Sequence, residues 1–259
     1  MAAPKALVLR AAGTNCDRET QYALQQAGFA AERIHVFRLM ENPAALKAYQ
    51  FLVIPGGFSY GDDIAAGKIL ANQMLHRLAG ELNEFLAAGK LMLGICNGFQ
   101  VMLKSGLLPA GCVEPGQAHR DATLGWNDSG RFEDRWVHLR GDSNKCVFLP
   151  AGEKIFLPVA HGEGKFIPRD DDVLDKLRGS GQVVLRYVDA EGDSGGYPGN
   201  PNGSIDDIAG ICDPTGRVMG LMPHPERFMD ITHHPYWTRG GVKRADGLIL
   251  FERAFAYFT

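Results

Sequence analysis

The sequence predicts an α/β protein with a mostly parallel central sheet, helices on both faces, and a mixed or antiparallel extension. Three observations lead there. The first half alternates short apolar strand-like runs with helical stretches, and parallel neighbours need such crossovers. The second half is a series of strand-like runs parted by turns, the pattern of antiparallel pairing. The 259 residues are 45% hydrophobic, enough for one large core. No charge shift or long linker divides the halves, so the reading is one domain over residues 1–259.

The elements follow in order. Lys5–Arg10 (KALVLR) reads as a buried strand. DRETQYALQQAGF reads as a helix with Asp17 near its start and Gly28 just past its end. RIHVFR reads as a short strand, and NPAALKAY as a short helix with Asn42 as cap and Pro43 in the first turn. QFLVIPGGFSYGDD is a strand ending in a glycine loop. Residues 64–88 read as helix in two pieces broken near Gly80. KLMLGIC is the next strand and NGFQVMLKSG the next helix. RWVHLR, EKIFLPVAH, QVVLRYVD, DDIAGICD and RVMGLMPH form the second-half strands, and ADGLILFERAFAYF a closing amphipathic helix. Glu191–Gly203, rich in Gly, Pro, Asn and Ser, reads as an irregular surface loop.

Composition excludes several function classes. A net charge of -3 without a basic stripe argues against nucleic acid as a partner. The N-terminal stretch looks like a first strand rather than a signal peptide. The longest uncharged apolar segment, Leu91 to Leu103, contains Asn97 and Gln100 and falls short of the roughly 20 residues that span a bilayer. The chain is therefore expected in the cytoplasm, off the membrane. The five cysteines (Cys16, Cys96, Cys112, Cys146, Cys212) are scattered and lack C-x-x-C spacing, which argues against a disulfide framework or a metal site. All but Cys96 read as small buried thiols. Neither G-x-x-x-x-G-K-[ST] nor G-x-G-x-x-G occurs, so no phosphate fingerprint supports a nucleotide or other cofactor in this chain.

Gly94-x-Cys96-x-Gly98 has the form of a nucleophile elbow with sulfur for the serine oxygen. The strand-to-helix turn is so tight that its flanks must be small, and the helix start favours thiolate. A nucleophilic cysteine needs a base oriented by a carboxylate. In MPHPER, Pro223 and Pro225 favour extension, and positions i and i+2 of an extended segment point the same way, so His224 and Glu226 are the candidates. His35, His76 and His138 read as structural or solvated, His119 has no clear context, and His233 and His234 read as loop or packing residues. Gly56 and Gly57 follow a buried strand at the sheet edge that carries Cys96. A Gly-Gly turn there can present an N–H which, with the Asn97 amide, makes an oxyanion hole. In PVAHGEGKF the glycines let backbone approach a ligand, and His161 or Glu163 is placed to contact a polar substrate. His161 is a rival base; His224 is preferred because Glu226 stands beside it.

Taken together, PGGFSYGD, LGICNGFQ, PVAHGEGKF, NGSIDDIAGI and MPHPER resemble the class I glutamine amidotransferases. More narrowly, they resemble the glutaminase subunits of phosphoribosylformylglycinamidine synthase, of de novo purine synthesis. The matches run from near Lys5 to the C-terminal helix. The resemblance implies a flavodoxin-like amidotransferase fold and a Cys96–His224–Glu226 triad. It also implies that Gln100 and the AHGEG segment (His161, Gly162, Glu163) help hold glutamine. It implies that ammonia passes to a synthetase subunit using ATP and Mg²⁺ on formylglycinamide ribonucleotide, with or without a small third subunit. Three stretches, near 127–146, 190–201 and 229–244, are longer than the compact subunit leads one to expect, the first resembling the domain fused to the large synthase. A triad does not encode its acceptor, so an amidotransferase serving another acceptor is the rival enzyme reading. A non-catalytic regulatory module of the same architecture would be expected to lack the Cys, the His or the Glu.

Overall fold

The computed structural model describes residues 2–114 and 121–259; His119 lies outside them. The chain runs β1 (Lys5–Arg10), α1 (Asp17–Gln26), β2 (Ala30–His35), α2 (Val36–Glu41), β3 (Phe51–Ile54), α3 (Lys68–Arg77), α4 (Ala79–Ala87), β4 (Leu91–Ile95), α5 (Asn97–Ser105) and α6 (Leu107–Ala110). There follow β5 (Ala122–Trp126), β6 (Glu133–Gly141), β7 (Lys154–His161), β8 (Glu163–Pro168), α7 (Asp171–Gly179), β9 (Val183–Val188), β10 (Ile208–Cys212), β11 (Val218–Leu221) and α8 (Leu248–Ala256).

One nine-stranded sheet has the order β2-β1-β3-β4-β11-β10-β9-β6-β7. Strands β2, β1, β3, β4 and β11 pair in parallel. From β11 outward through β10, β9, β6 and β7 every pairing is antiparallel. The central strands β3, β4, β10 and β11 are buried along their whole length, as strands covered on both faces must be. The chain steps outward from β1 to β2 and then back across β1 to β3. Right-handed crossovers in the two directions put their helices on opposite faces and leave a crevice at the C-terminal ends of β1 and β3. Packing follows that plan: α1 lies on β1 and β2 with α8 beside it, while α5 lies on β3, β4 and β11 with α3 beside it. Strands β5 and β8 form a separate antiparallel pair against α5.

Several local expectations are corrected. RIHVFR is not one strand: β2 ends at His35, whose Nδ1 accepts the Phe37 N–H and caps α2, and Val36 and Leu39 bury the helical i, i+3 face. Pro43–Ala48 is a 3-10 turn, and the Asn42 side chain makes no capping bond. Helix α3 starts only at Lys68, and the break before α4 falls at Leu78, not Gly80. Four elements went unread. Strands β5 and β8 pair with each other, and α6 is a single four-residue turn after α5. The fourth is α7, whose Asp170 cap accepts the Val173 N–H ahead of acidic Asp171 and Asp172. The stretch 127–146 is no peripheral insertion: it contains β6, which pairs with both β7 and β9. The closing helix packs as expected, burying Leu250, Phe251 and Ala254. Among the described residues no helix is long and apolar enough to cross a membrane.

Candidate active site

Each candidate group sits just past the C-terminal end of a strand: Gly56 and Gly57 after β3, Cys96 after β4, His224 and Glu226 after β11, with His161 ending β7. The elbow explains its own glycines. A Cβ at Gly98 would lie 1.9 Å from the Ile54 carbonyl oxygen, and one at Gly94 would lie 2.8 Å from the Gly98 oxygen. Helix α5 can follow β4 this tightly only without those side chains. Cys96 takes the strain of the turn, with φ 51 and ψ -104. A non-glycine residue held there costs about 1–3 kcal/mol, which the surrounding packing must supply. Its Sγ is directed toward the Ala160 carbonyl oxygen at 3.7 Å.

His224 and Glu226 meet by a different route from the extended segment expected. Pro225–Arg227 is a 3-10 turn, and it folds Glu226 back so that His224 Nδ1–H donates to Oε1 at 2.6 Å. The His224 amide is pinned to the Pro158 carbonyl at 2.8 Å. Both residues are buried, at 1% and 2% exposure. Burial disfavours charge on the imidazole, but the Glu226 carboxylate, followed by Cys96, holds its pKa well above the ordinary value. The opposite ring nitrogen, Nε2, is buried and makes no hydrogen bond.

The glycine loop closes the third side. Gly57 has φ 139, and a Cβ there would lie 2.7 Å from the Asn15 amide nitrogen. A Cβ at Gly56 would lie 2.7 Å from His224 Cε1, so the turn and the imidazole are in direct contact. Among the described residues neither Gly57 nor Asn97 uses its backbone N–H in a hydrogen bond. The Asn97 side chain fastens the loop to α5: Oδ1 accepts from the Ser59 amide, and Nδ2 donates to Asp62 and to Gln100 Oε1. Gln100 Nε2 donates to the Glu163 carbonyl at 2.6 Å. The two ends of the Gln100 amide are thus both occupied, linking α5 to the start of β8. His161 is buried beside these groups, while Gly162 and Glu163 are half-buried.

Two features escaped sequence reasoning. Cys16, read as an ordinary buried thiol, lies 4.0 Å from His224 Nδ1 and accepts a hydrogen bond from Arg227 Nη2 at 3.2 Å. Its amide donates to the Gly56 carbonyl. Burial pushes its thiol up to about 11, so it stays protonated. Cys16, His224 and Glu226 bring donor atoms within 4.8 Å of one another. The His224 proton already bridges two of them and the Arg227 cation covers the sulfur, so the group reads as packing around the His–Glu pair rather than a metal cage. The second feature is a buried polar network under β8. Asn202 Nδ2 donates to the Gly164 carbonyl and to Tyr187 Oη, and Ser204 Oγ accepts the Phe166 amide and donates to Asn202 Oδ1. The NGS run carried no spacing rule that would have revealed it.

With the geometry in place, comparison with known proteins decides the family. Residues 3–258 match the model of the CobB/CobQ-like glutamine amidotransferase domain. The chain is 45% identical to phosphoribosylformylglycinamidine synthase subunit PurQ of Dehalococcoides mccartyi, over 98% of this chain and 97% of that one. The chain belongs to the PurQ family of glutamine amidotransferases. A second PurQ, from Methanococcus maripaludis, is 40% identical over 99% of this chain and 98% of its own. The structure of PurLQS from Thermotoga maritima superposes with a TM-score of 0.75 at 32% identity, covering 100% of both chains. The PurQ relatives thus extend over the β1 loop carrying Cys16 as well as over the elbow and the His–Glu turn.

Proposed function

We propose that this chain is the glutaminase subunit of a phosphoribosylformylglycinamidine synthase, acting through Cys96, His224 and Glu226. One observation carries the chemistry. A strained, helix-capping cysteine and a buried His–Glu pair with a free Nε2 lie against a Gly-Gly turn, in a chain of the PurQ family.

Glutamine is held with its side-chain amide over Cys96, next to the AHGEG segment. The thiol proton passes to His224 Nε2, and the sulfur forms a bond to the amide carbon. Glu226 fixes the ring through Nδ1 and stabilises the imidazolium. The amides of Gly57 and Asn97 receive the oxyanion. Its collapse breaks the C–N bond, His224 returns the proton to the leaving nitrogen, and ammonia departs from a glutamyl thioester. Water, deprotonated by His224, attacks that thioester; glutamate leaves and the thiol is restored. The half-reaction balances as glutamine plus water giving glutamate plus ammonia, with no cofactor from this chain. ATP and Mg²⁺ belong to the synthetase partner, which takes the ammonia to convert formylglycinamide ribonucleotide to the amidine. A small third subunit fits the same assembly, and the cytoplasm is the compartment where it works.

The test is glutamate release from glutamine by the chain alone, then with the synthetase subunit, ATP and formylglycinamide ribonucleotide. Low activity alone and a large rise in the complex is the expected result. Equal activity in both would leave a free-standing glutaminase and remove the purine assignment.

A further inference from the structure

The Asn127 side chain has every hydrogen-bonding position filled. Nδ2 donates to the Arg131 carbonyl at 2.9 Å and to the His161 carbonyl at 2.8 Å. Oδ1 faces the Gly164 amide at 3.2 Å and His161 Nδ1 at 3.1 Å. Turning the amide over would set Nδ2 against the Gly164 N–H and Oδ1 against two carbonyl oxygens, so its orientation is determined. Oδ1 can only accept, and the His161 proton therefore sits on Nδ1. His161 is 3% exposed, and its Nε2 is buried without a hydrogen-bond partner. The ring packs on Gly164, where a Cβ would lie 2.4 Å from it. The preceding residue, Ala160, receives the Cys96 sulfur. Burial, then the charge of His224, lowers the His161 pKa to about 3, so the ring stays neutral through the working pH range. A buried lone pair without a donor is costly, and the ring that carries it lies within electrostatic reach of His224.

Resting on the glutaminase reading above, we propose that Asn127 is a positioning residue that locks His161 as the neutral Nδ1–H tautomer, so that Nε2 accepts an N–H of the glutamine amide. The same lone pair faces a carboxylate oxygen unfavourably. Locked this way, His161 distinguishes the amide substrate from the acid product and helps expel glutamate.

Two measurements on the full chain test this. The first is nitrogen NMR of the histidine-labelled protein, with His161→Asn for assignment. Protonated Nδ1 and bare Nε2 at neutral pH are expected; a proton on Nε2 overturns the proposal even if every variant misfolds. The second compares Asn127→Asp with the natural chain in the synthase complex, reading KM for glutamine and the inhibition constant for glutamate. A carboxylate at 127 draws a second proton onto His161 and turns Nε2 into a donor. Glutamate should then bind about tenfold better relative to glutamine, the worth of one hydrogen bond reversed. Equal weakening of both ligands would reduce Asn127 to a structural role. Absence of glutamate release by the unmodified complex would instead defeat the glutaminase reading, and the NMR result would still stand.

Discussion

Two cysteine-bearing loops flank one imidazole, and they differ in nearly everything that makes a thiol reactive. Cys16 follows β1 and Cys96 follows β4, both ahead of a helix at the same sheet edge. Cys16 has a relaxed backbone, φ -92 and ψ 11, and lies on the Nδ1 side that Glu226 already occupies. Cys96 has φ 51 and ψ -104 and acts electrostatically on His224, whose Nε2 is without a partner. Proximity to a histidine is therefore not enough. On the proposed mechanism, Cys96 is set apart by the turn that strains it and by the unpartnered nitrogen of the same imidazole.

The sharpest way to break this comparison is to remove each sulfur in turn. Cys96→Ala should cost on the order of a millionfold in glutamine-dependent kcat, while synthesis from added ammonia in the complex persists; loss of both would make Cys96 structural. Glu226→Gln should cost about ten-thousandfold in kcat by leaving the ring unoriented. Because the pKa of His224 is raised in the folded state, its contribution to stability is full below about pH 6.5 and is lost as pH rises through the folded value. The gap in melting temperature between the natural chain and Glu226→Gln should thus be widest in mild acid and close toward alkaline pH. Gly56→Ala pushes a methyl to within 2.7 Å of His224 Cε1, and a displacement of that kind should lower kcat about a hundredfold. Cys16→Ala should keep kcat within about tenfold and cost about 1 kcal/mol on denaturant unfolding; a loss matching that of Cys96 would erase the distinction.

A further test separates His161 from His224. His161 has the opposite shift, to about 3, so between that value and about pH 6.5 the unfolded chain binds the extra proton. Stability should fall as pH drops through this window, with a slope up to about 1.4 kcal/mol per pH unit. His161→Asn should flatten that slope in acid melting curves, the reverse of the trend at His224.

What could be read in advance was whatever a local rule dictates. Gly94 and Gly98 bracket a tight turn, the apolar runs become strands, and His224 stands two positions from Glu226. The pairing of that His and Glu was legible although the mechanism differs, a 3-10 turn rather than an extended segment. What local rules do not encode was missed. Cys16 reaches His224 across a sequence separation of 208, and Asn127 reaches His161 across 34; no periodicity announces either. Helix α7 was a different kind of miss, because its Asp170 cap and its basic last turn were available in RDDDVLDKLRG. His35 misled because it closes a strand and opens a helix with one ring.

Of the five cysteines only Cys112 is not buried, and Cys96 is 6% exposed. A survey with a general alkylating reagent should therefore label Cys112 first and point to the wrong residue. On the proposed mechanism only an electrophile shaped like glutamine, admitted as a substrate is admitted, would find Cys96, so that accessibility and reactivity would belong to different side chains.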